Sequence, residues 1–176
     1  MSDMLQTILM AFGLFLIIYF FLFRPFQVSG YSMFPTYKDR EYILTNLIGL
    51  RITGVKRGDV IVFKAPVDRE KDYIKRVIGL PGETVSVHDA HVYINGKEFN
   101  ETMYLNDVKT NPGAFLEEGK TVTIPKGEYI VMGDNRSGSS DSREWGFVTR
   151  EEVIGKALFV YWPVSAWRVI TNPFRS

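Results

Sequence analysis

The sequence contains no cysteine. That excludes disulfides, thiolate metal sites and cysteine nucleophiles, and it fits a domain exposed outside the cytoplasm. Histidine is nearly as scarce. The two present, His88 and His91, stand three apart in the hydrophilic run His88-Asp89-Ala90-His91. A zinc site needs more ligands than this pair. The run reads as a hairpin loop rather than as part of a Ser-His-Asp triad, so any serine chemistry here needs a base other than histidine. An excess of one charge is also missing. Lys and Arg total 21 against 20 Asp and Glu, a net charge of +1, so no basic stripe points to nucleic acid. No internal repeat or low-complexity run stands out.

The first long feature that is present is itself a run without charge, Leu5 to Phe23. As a helix, these residues would extend roughly 28 Å, close to the hydrocarbon thickness of a bilayer. A cleaved signal peptide would carry a basic start and a small-residue cleavage site. Met1-Ser2-Asp3 has no Lys or Arg and no Ala-X-Ala pattern follows, so the run is expected to be an uncleaved anchor. Arg24 suits the headgroup region and Pro25 discourages helix before it. The expected organisation is an anchor over 1–25 and one domain over 26–176, with about 150 residues to build a core. Charge alone would put the Arg24 side in the cytoplasm, although long domains cross largely regardless of charge.

The remainder reads as mainly β, in short strands with regular turns. Expected strands are Tyr42–Asn46, Val60–Phe63, Tyr73–Ile78, a hairpin of Thr84–Val87 with His91–Ile94, Val122–Ile124, Tyr129–Met132 and Ile154–Trp162. Asn95-Gly96 and Leu80-Pro81-Gly82-Glu83 are turn signals. Thr149 with Glu152 three residues on resembles a capping box that opens a short helix. Phe99 to Lys120 is polar and irregular, a small peripheral insertion. Trp162, Trp167 and Phe174 suit either a membrane interface or the core.

Three stretches carry candidate chemistry. Gly30-Tyr31-Ser32-Met33-Phe34-Pro35-Thr36 places a serine just past the anchor, either as a nucleophile at the bilayer surface or as part of an ordinary turn. In Tyr73-Ile74-Lys75-Arg76-Val77, strand alternation puts Lys75 beside Tyr73 and Val77, with Arg76 on the other face. Burial there would lower the lysine pKa far enough for it to act as a base; a lysine snorkelling from an edge strand fits the same pattern. Gly133 to Arg143 is a loop rich in Gly, Ser and Asn, with Asp/Arg pairs suited to charge-assisted locking.

In order and spacing, Ser32-Met33-Phe34-Pro35-Thr36, Tyr73 through Gly82, and Gly133-Asp134-Asn135-Arg136 through Asp141-Ser142-Arg143 closely resemble the motifs of bacterial type I signal peptidases. The compact insertion and single anchor are similar to the Gram-positive members. The resemblance implies a single transmembrane helix followed by a Ser/Lys-protease β-domain of antiparallel strands. Its implied activity is a membrane-bound endopeptidase that cleaves signal peptides from exported preproteins after small residues, with no metal or cofactor. It implies Ser32 as nucleophile, Lys75 as general base, and the Ser32 N–H as an oxyanion donor. Ser139 would orient the lysine, and Asp141 with Arg143 would support the site. Val28, Met33 and Ile74 would line the substrate pocket, while Asp134, Arg136 and Arg76 would be structural. The implied partners are secretory preproteins and the lipid bilayer, with no nucleic acid. The protein is expected to be monomeric and single-pass in the plasma membrane, with its catalytic domain outside. Gly30 stands where some members have a second oxyanion donor. Two alternatives are a self-cleaving Ser/Lys repressor, against which the apolar run argues, and an inactive membrane-tethered β-domain that binds a partner.

Overall fold

A computed structural model describes residues 2–47, 49–106 and 108–174, without the side chains of residues 2, 17–21 and 51. Helix α1 is Ser2–Leu22. Among the described residues no helix is long and apolar enough to cross a membrane. The run expected to span includes 17–21, whose side chains lie outside the described residues.

Twelve strands follow among the described residues: β1 (Phe23–Gln27), β2 (Tyr42–Asn46), β3 (Val60–Ala65), β4 (Asp68–Gly79), β5 (Thr84–His88), β6 (His91–Ile94), β7 (Lys97–Glu98), β8 (Val122–Thr123), β9 (Glu128–Met132), β10 (Val148–Thr149), β11 (Val153–Trp162) and β12 (Arg168–Val169). Short helices α2 (Gly49–Thr53) and α3 (Ser142–Trp145) interrupt them. One sheet has the order β1-β2-β11-β3-β4-β9-β10, with β12 added on β11; a four-stranded sheet has the order β7-β6-β5-β8.

Side-chain alternation explains why the large sheet is buried on both faces. On β3, Val60 and Val62 pack with Val28, Met33, Tyr37 and Ile43. Ile61 and Phe63 point the other way, to Leu50, Val77, Tyr129 and Val131. A continuous apolar run such as Val60-Ile61-Val62-Phe63 is what two covered faces require. A third cluster, with Ile78, Val85, Val92, Ile124 and Ile130, joins the two sheets. In β4, Lys75 stands opposite Ile61 and Arg76 opposite Val60.

Several boundaries differ from expectation. β4 begins at Asp68, before the apolar stretch, because its first residues form a hairpin with β3. β1 begins at Phe23 and pairs only with β2 in this sheet. Its Pro25 is tolerated because an edge strand can lack a donor. Thr149 to Glu152 does not open a helix. Glu152 Oε2 does accept the Thr149 N–H at 2.9 Å, as in a capping box, but it closes a turn that feeds β11. Trp162 and Trp167 are exposed, whereas Phe174 packs on Phe99 and Tyr104.

Gly155 lies where β11 passes between β2 and β3. A Cβ there would come within 2.6 Å of the Thr45 side chain and 2.7 Å of the Asn46 carbonyl oxygen. Gly155→Ala should therefore lower unfolding stability by about 1–3 kcal/mol. Chemical denaturation should show the loss as a lower midpoint; an unchanged midpoint would mean the strands separate at no cost.

Candidate active site

Ser32 lies in a tight turn after β1. Gly30, at φ +85°, occupies the left-handed region that favours glycine. Its N–H donates to Asp39 Oδ1 at 2.7 Å. The Phe34 N–H reaches the Tyr31 carbonyl and the Tyr37 N–H reaches the Met33 carbonyl, which closes the turn. The buried side chains of Met33 and Tyr37 fasten it to the core. Asn135 holds it from the opposite side: its N–H donates to the Ser32 carbonyl at 3.0 Å and its side-chain amide to the Tyr31 carbonyl at 3.1 Å. Gly133 permits this approach, since a Cβ there would lie 2.4 Å from the Ser32 carbonyl oxygen. The Ser32 N–H makes no backbone hydrogen bond among the described residues.

Lys75 Nζ lies 2.8 Å from Ser32 Oγ and 3.1 Å from the Ile74 carbonyl oxygen. The residue is only 4% exposed. Burial pushes the Lys75 pKa down to about 8, and the nearby Asp141 and Asp134 offset only part of that. Their pull is limited because each carboxylate already has a buried arginine. Asp134 takes two bonds from Arg76, at 2.8 and 2.6 Å. Asp141 takes two from Arg143, at 2.8 and 2.9 Å. Asp141 also accepts the Gly133 N–H at 3.0 Å, and Asp134 accepts the Thr36 hydroxyl at 2.5 Å. A serine hydroxyl within hydrogen-bonding reach of an amine whose pKa burial has lowered is the geometry that a nucleophile and its base require.

The sequence model of the family described as "Signal peptidase, peptidase S26" matches residues 1–162. The chain belongs to the S26 signal peptidase family. It is 37% identical to signal peptidase IB of Staphylococcus aureus over 179 residues, covering 95% of this chain and 92% of that one. It is 38% identical to signal peptidase I of Bacillus amyloliquefaciens over 174 residues, covering 94% and 90%. A crystal structure of a signal peptidase I from Enterococcus faecalis is 36% identical, covering 58% of this chain and 95% of that one, with a TM-score of 0.47.

A cleft of about 250 Å³ opens beside Ser32 and Lys75, with Val28, Ile43, Val62 and Ile74 on its apolar side. Val28 and Ile74 both line this cleft. Met33 is not among the lining residues; it is buried in the core with Tyr37 and Val60. Ser139 also departs from expectation. Its Oγ is buried and makes no hydrogen bond among the described residues. The second polar contact of Lys75 goes to its own strand, at the Ile74 carbonyl, instead.

Residues 99–120 hold no helix or strand among those described, but they are more than a peripheral insertion. Glu101 pairs with buried Arg136, which also reaches the Thr110 hydroxyl at 2.5 Å. The Asn111 carbonyl accepts from Arg143 at 3.1 Å. Tyr104 lies under Arg76, with the guanidinium carbon 4.3 Å from the ring centroid. The stretch therefore braces the arginines behind the dyad. Its polarity concealed this, because the groups that meet the arginines, Glu101, Tyr104 and Thr110, are polar ones, with only Leu105 and Leu116 as buried apolar residues among those described.

The Lys75 shift has a consequence for stability. Its folded pKa of about 8 lies below the ordinary value of 10.5. Between those values the unfolded chain binds more protons, so this group's penalty is full below pH 8 and fades as pH rises through 10.5. Lys75→Met should stabilise the protein by up to about 3 kcal/mol at pH 7, with the gain shrinking toward pH 10.5. Unfolding midpoints at both ends of this range test it; a gain independent of pH would contradict a buried, titrating lysine.

Proposed function

We propose that this S26 peptidase is a membrane-bound serine endopeptidase that removes N-terminal signal peptides from exported preproteins, using Ser32 and Lys75 as its dyad. The observation that carries this reading is the 2.8 Å approach of Lys75 Nζ to Ser32 Oγ within a buried site beside an open cleft. A silent tether that only binds a partner would have no need of a desolvated lysine at a serine hydroxyl.

The substrate lies extended in the cleft, with a small side chain against Val28 and Ile74. Neutral Lys75 takes the Ser32 proton as Oγ attacks the scissile carbonyl carbon. Charge on the carbonyl oxygen is met by the Ser32 N–H. Gly30 has no side chain to contribute and its N–H is held by Asp39. Collapse breaks the C–N bond, and the Lys75 ammonium returns its proton to the leaving amine. The signal peptide remains as an ester on Ser32. Lys75 then takes a proton from water as its oxygen attacks the ester carbonyl carbon; collapse breaks the C–O bond to Ser32, the Lys75 ammonium returns that proton to Ser32 Oγ, and the signal peptide leaves as a carboxylic acid.

The site works at a bilayer surface, with α1 as a single-pass anchor and the β-domain on the side where exported chains emerge. The charge-free run from Leu5 to Phe23 supports this, as do the exposed Leu5, Ile8, Leu9, Phe12 and Phe15 of α1. Outside α1, Tyr31, Trp162 and Trp167 are exposed and amphipathic, as residues at a lipid interface are. Anchoring enzyme and substrate in one plane restricts their search and orientation. One chain supplies both dyad residues, so a monomer suffices.

Purified full-length protein should cleave a preprotein at a small-residue site, with a rate that rises with pH through about 8 as Lys75 loses its proton. Ser32→Ala should abolish cleavage while leaving the unfolding midpoint near that of the wild type. Wild-type turnover in this variant would end the serine reading.

A further inference from the structure

One buried ionic group outside the dyad has a geometry that reaches the Ser32 turn. Glu41 is 3% exposed and lies far from Lys75 in the chain. It accepts two bonds from Arg168, at 3.0 and 2.5 Å. The same guanidinium donates to the Thr36 carbonyl at 2.6 Å and to the Ala166 carbonyl at 3.0 Å, and it lies over the ring of Tyr37, 5.6 Å from the centroid. Thr36 is thereby gripped at two points. Its carbonyl is held by Arg168, and its hydroxyl by Asp134, which Arg76 holds in turn.

Glu41 connects this grip to the cleft. Its carboxylate accepts the Lys38 N–H at 3.1 Å. Its own carbonyl accepts the Val28 N–H at 2.8 Å. The carboxylate–guanidinium pair thus holds Thr36, after Ser32, directly, while Val28, before it, is held by the main chain of the same Glu41. Arg168 lies in β12, at the end of the fold remote in sequence from every motif that carries the chemistry.

We infer that Arg168 is a positioning residue for the nucleophile, fixing the Ser32 turn through its joint hold on the Thr36 carbonyl and the Glu41 carboxylate. The inference rests on Ser32 being the nucleophile. Without Arg168, the segment from Met33 to Thr36 keeps its core side chains but loses one of its two outer holds. The distance from Ser32 Oγ to Lys75 Nζ then varies. Displacements on the order of 1 Å at reacting atoms cost about 10²-fold in rate. The effect falls on kcat, because Arg168 bonds to none of the cleft residues Val28, Ile43, Val62 and Ile74, and the Val28 N–H is held by the Glu41 main chain, which the substitutions keep.

The test uses full-length protein in detergent and a peptide with a small-residue cleavage site. It compares Arg168→Gln, Arg168→Lys and the double variant Glu41→Gln/Arg168→Gln, each assayed well below its unfolding midpoint. Arg168→Gln leaves a buried carboxylate without its cation and is expected to lower stability; the double variant removes that charge. The expected result is a kcat about 10–100-fold below wild type in both Gln variants, with KM within about twofold of wild type. Arg168→Lys should recover part of kcat, since an ammonium keeps the charge but cannot reproduce the planar fork. The pH midpoint should stay near 8, since the groups that set the Lys75 pKa are burial, Asp141 and Asp134. Wild-type kcat in the double variant would overturn the inference and reduce the pair to a stabilising contact. So would a kcat loss that follows the unfolding midpoint across the three variants. Ser32→Ala in the same assay separates the two levels. If it cleaves, the reading of Ser32 as nucleophile fails; if it does not and the double variant keeps wild-type kcat, only the role of Arg168 fails.

Discussion

The structure depends on keeping one lysine out of water beside one serine. An ammonium at its ordinary pKa cannot take a proton from a hydroxyl. Burial of Lys75 lowers that pKa to about 8, yet burial also collects carboxylates nearby, and carboxylates oppose the shift. Asp134 and Asp141 would hold the proton on Lys75 if they stood alone. Each is instead engaged on both oxygens by its own arginine, Arg76 or Arg143. Desolvation therefore outweighs the residual attraction. Bidentate pairing suits this task because a guanidinium stays charged across the relevant pH range.

Those arginines need cover of their own, and much of the remaining fold supplies it. Arg76 rests on Tyr104 and donates to the Gly58 carbonyl. Arg136 is closed in by Glu101 and Thr110. Arg143 also reaches the carbonyls of Arg136 and Asn111. The irregular stretch 99–120 thus forms the outer wall of a charged core, and the two sheets form its apolar surroundings. Buried charge pairs of this kind stabilise little in net terms and are costly to break singly. Their use here is to fix directions: the turn at Ser32 is met by Asn135 and Gly133 from one side and by its own buried Met33 and Tyr37 from the other.

Much of this could be read from the sequence, and the remainder fails for physical reasons. Strands whose faces are settled by alternation, such as Tyr42–Asn46 and the hairpin around Asp89-Ala90, coincide closely with the structure. Lys75 and Arg76 do have separate partners, as their adjacent positions on a strand require. β1 was concealed by Arg24 and Pro25, which read as the end of a helix and say nothing of an edge strand. Glu152 satisfies the Thr149 N–H as a helix cap would, but tertiary pairing claims the next residue for β11. Met33 is drawn into the core by its size, and the Ser139 hydroxyl lies close to Lys75 in motif logic without bonding to it. Glu41 and Arg168 gave no local signal, because their pairing exists only once β12 has folded onto β11. The family membership rests on the sequence match over residues 1–162, and the chemistry rests on the geometry that those residues create.

The central claim is that Lys75 is neutral when it meets Ser32. The most direct measurement is an NMR titration of the side-chain amine of Lys75 in the full-length protein, assigned by comparison with Lys75→Met. A midpoint near 8 is expected. A midpoint at the ordinary value of 10.5 would leave the amine protonated at neutral pH and contradict its role as the base.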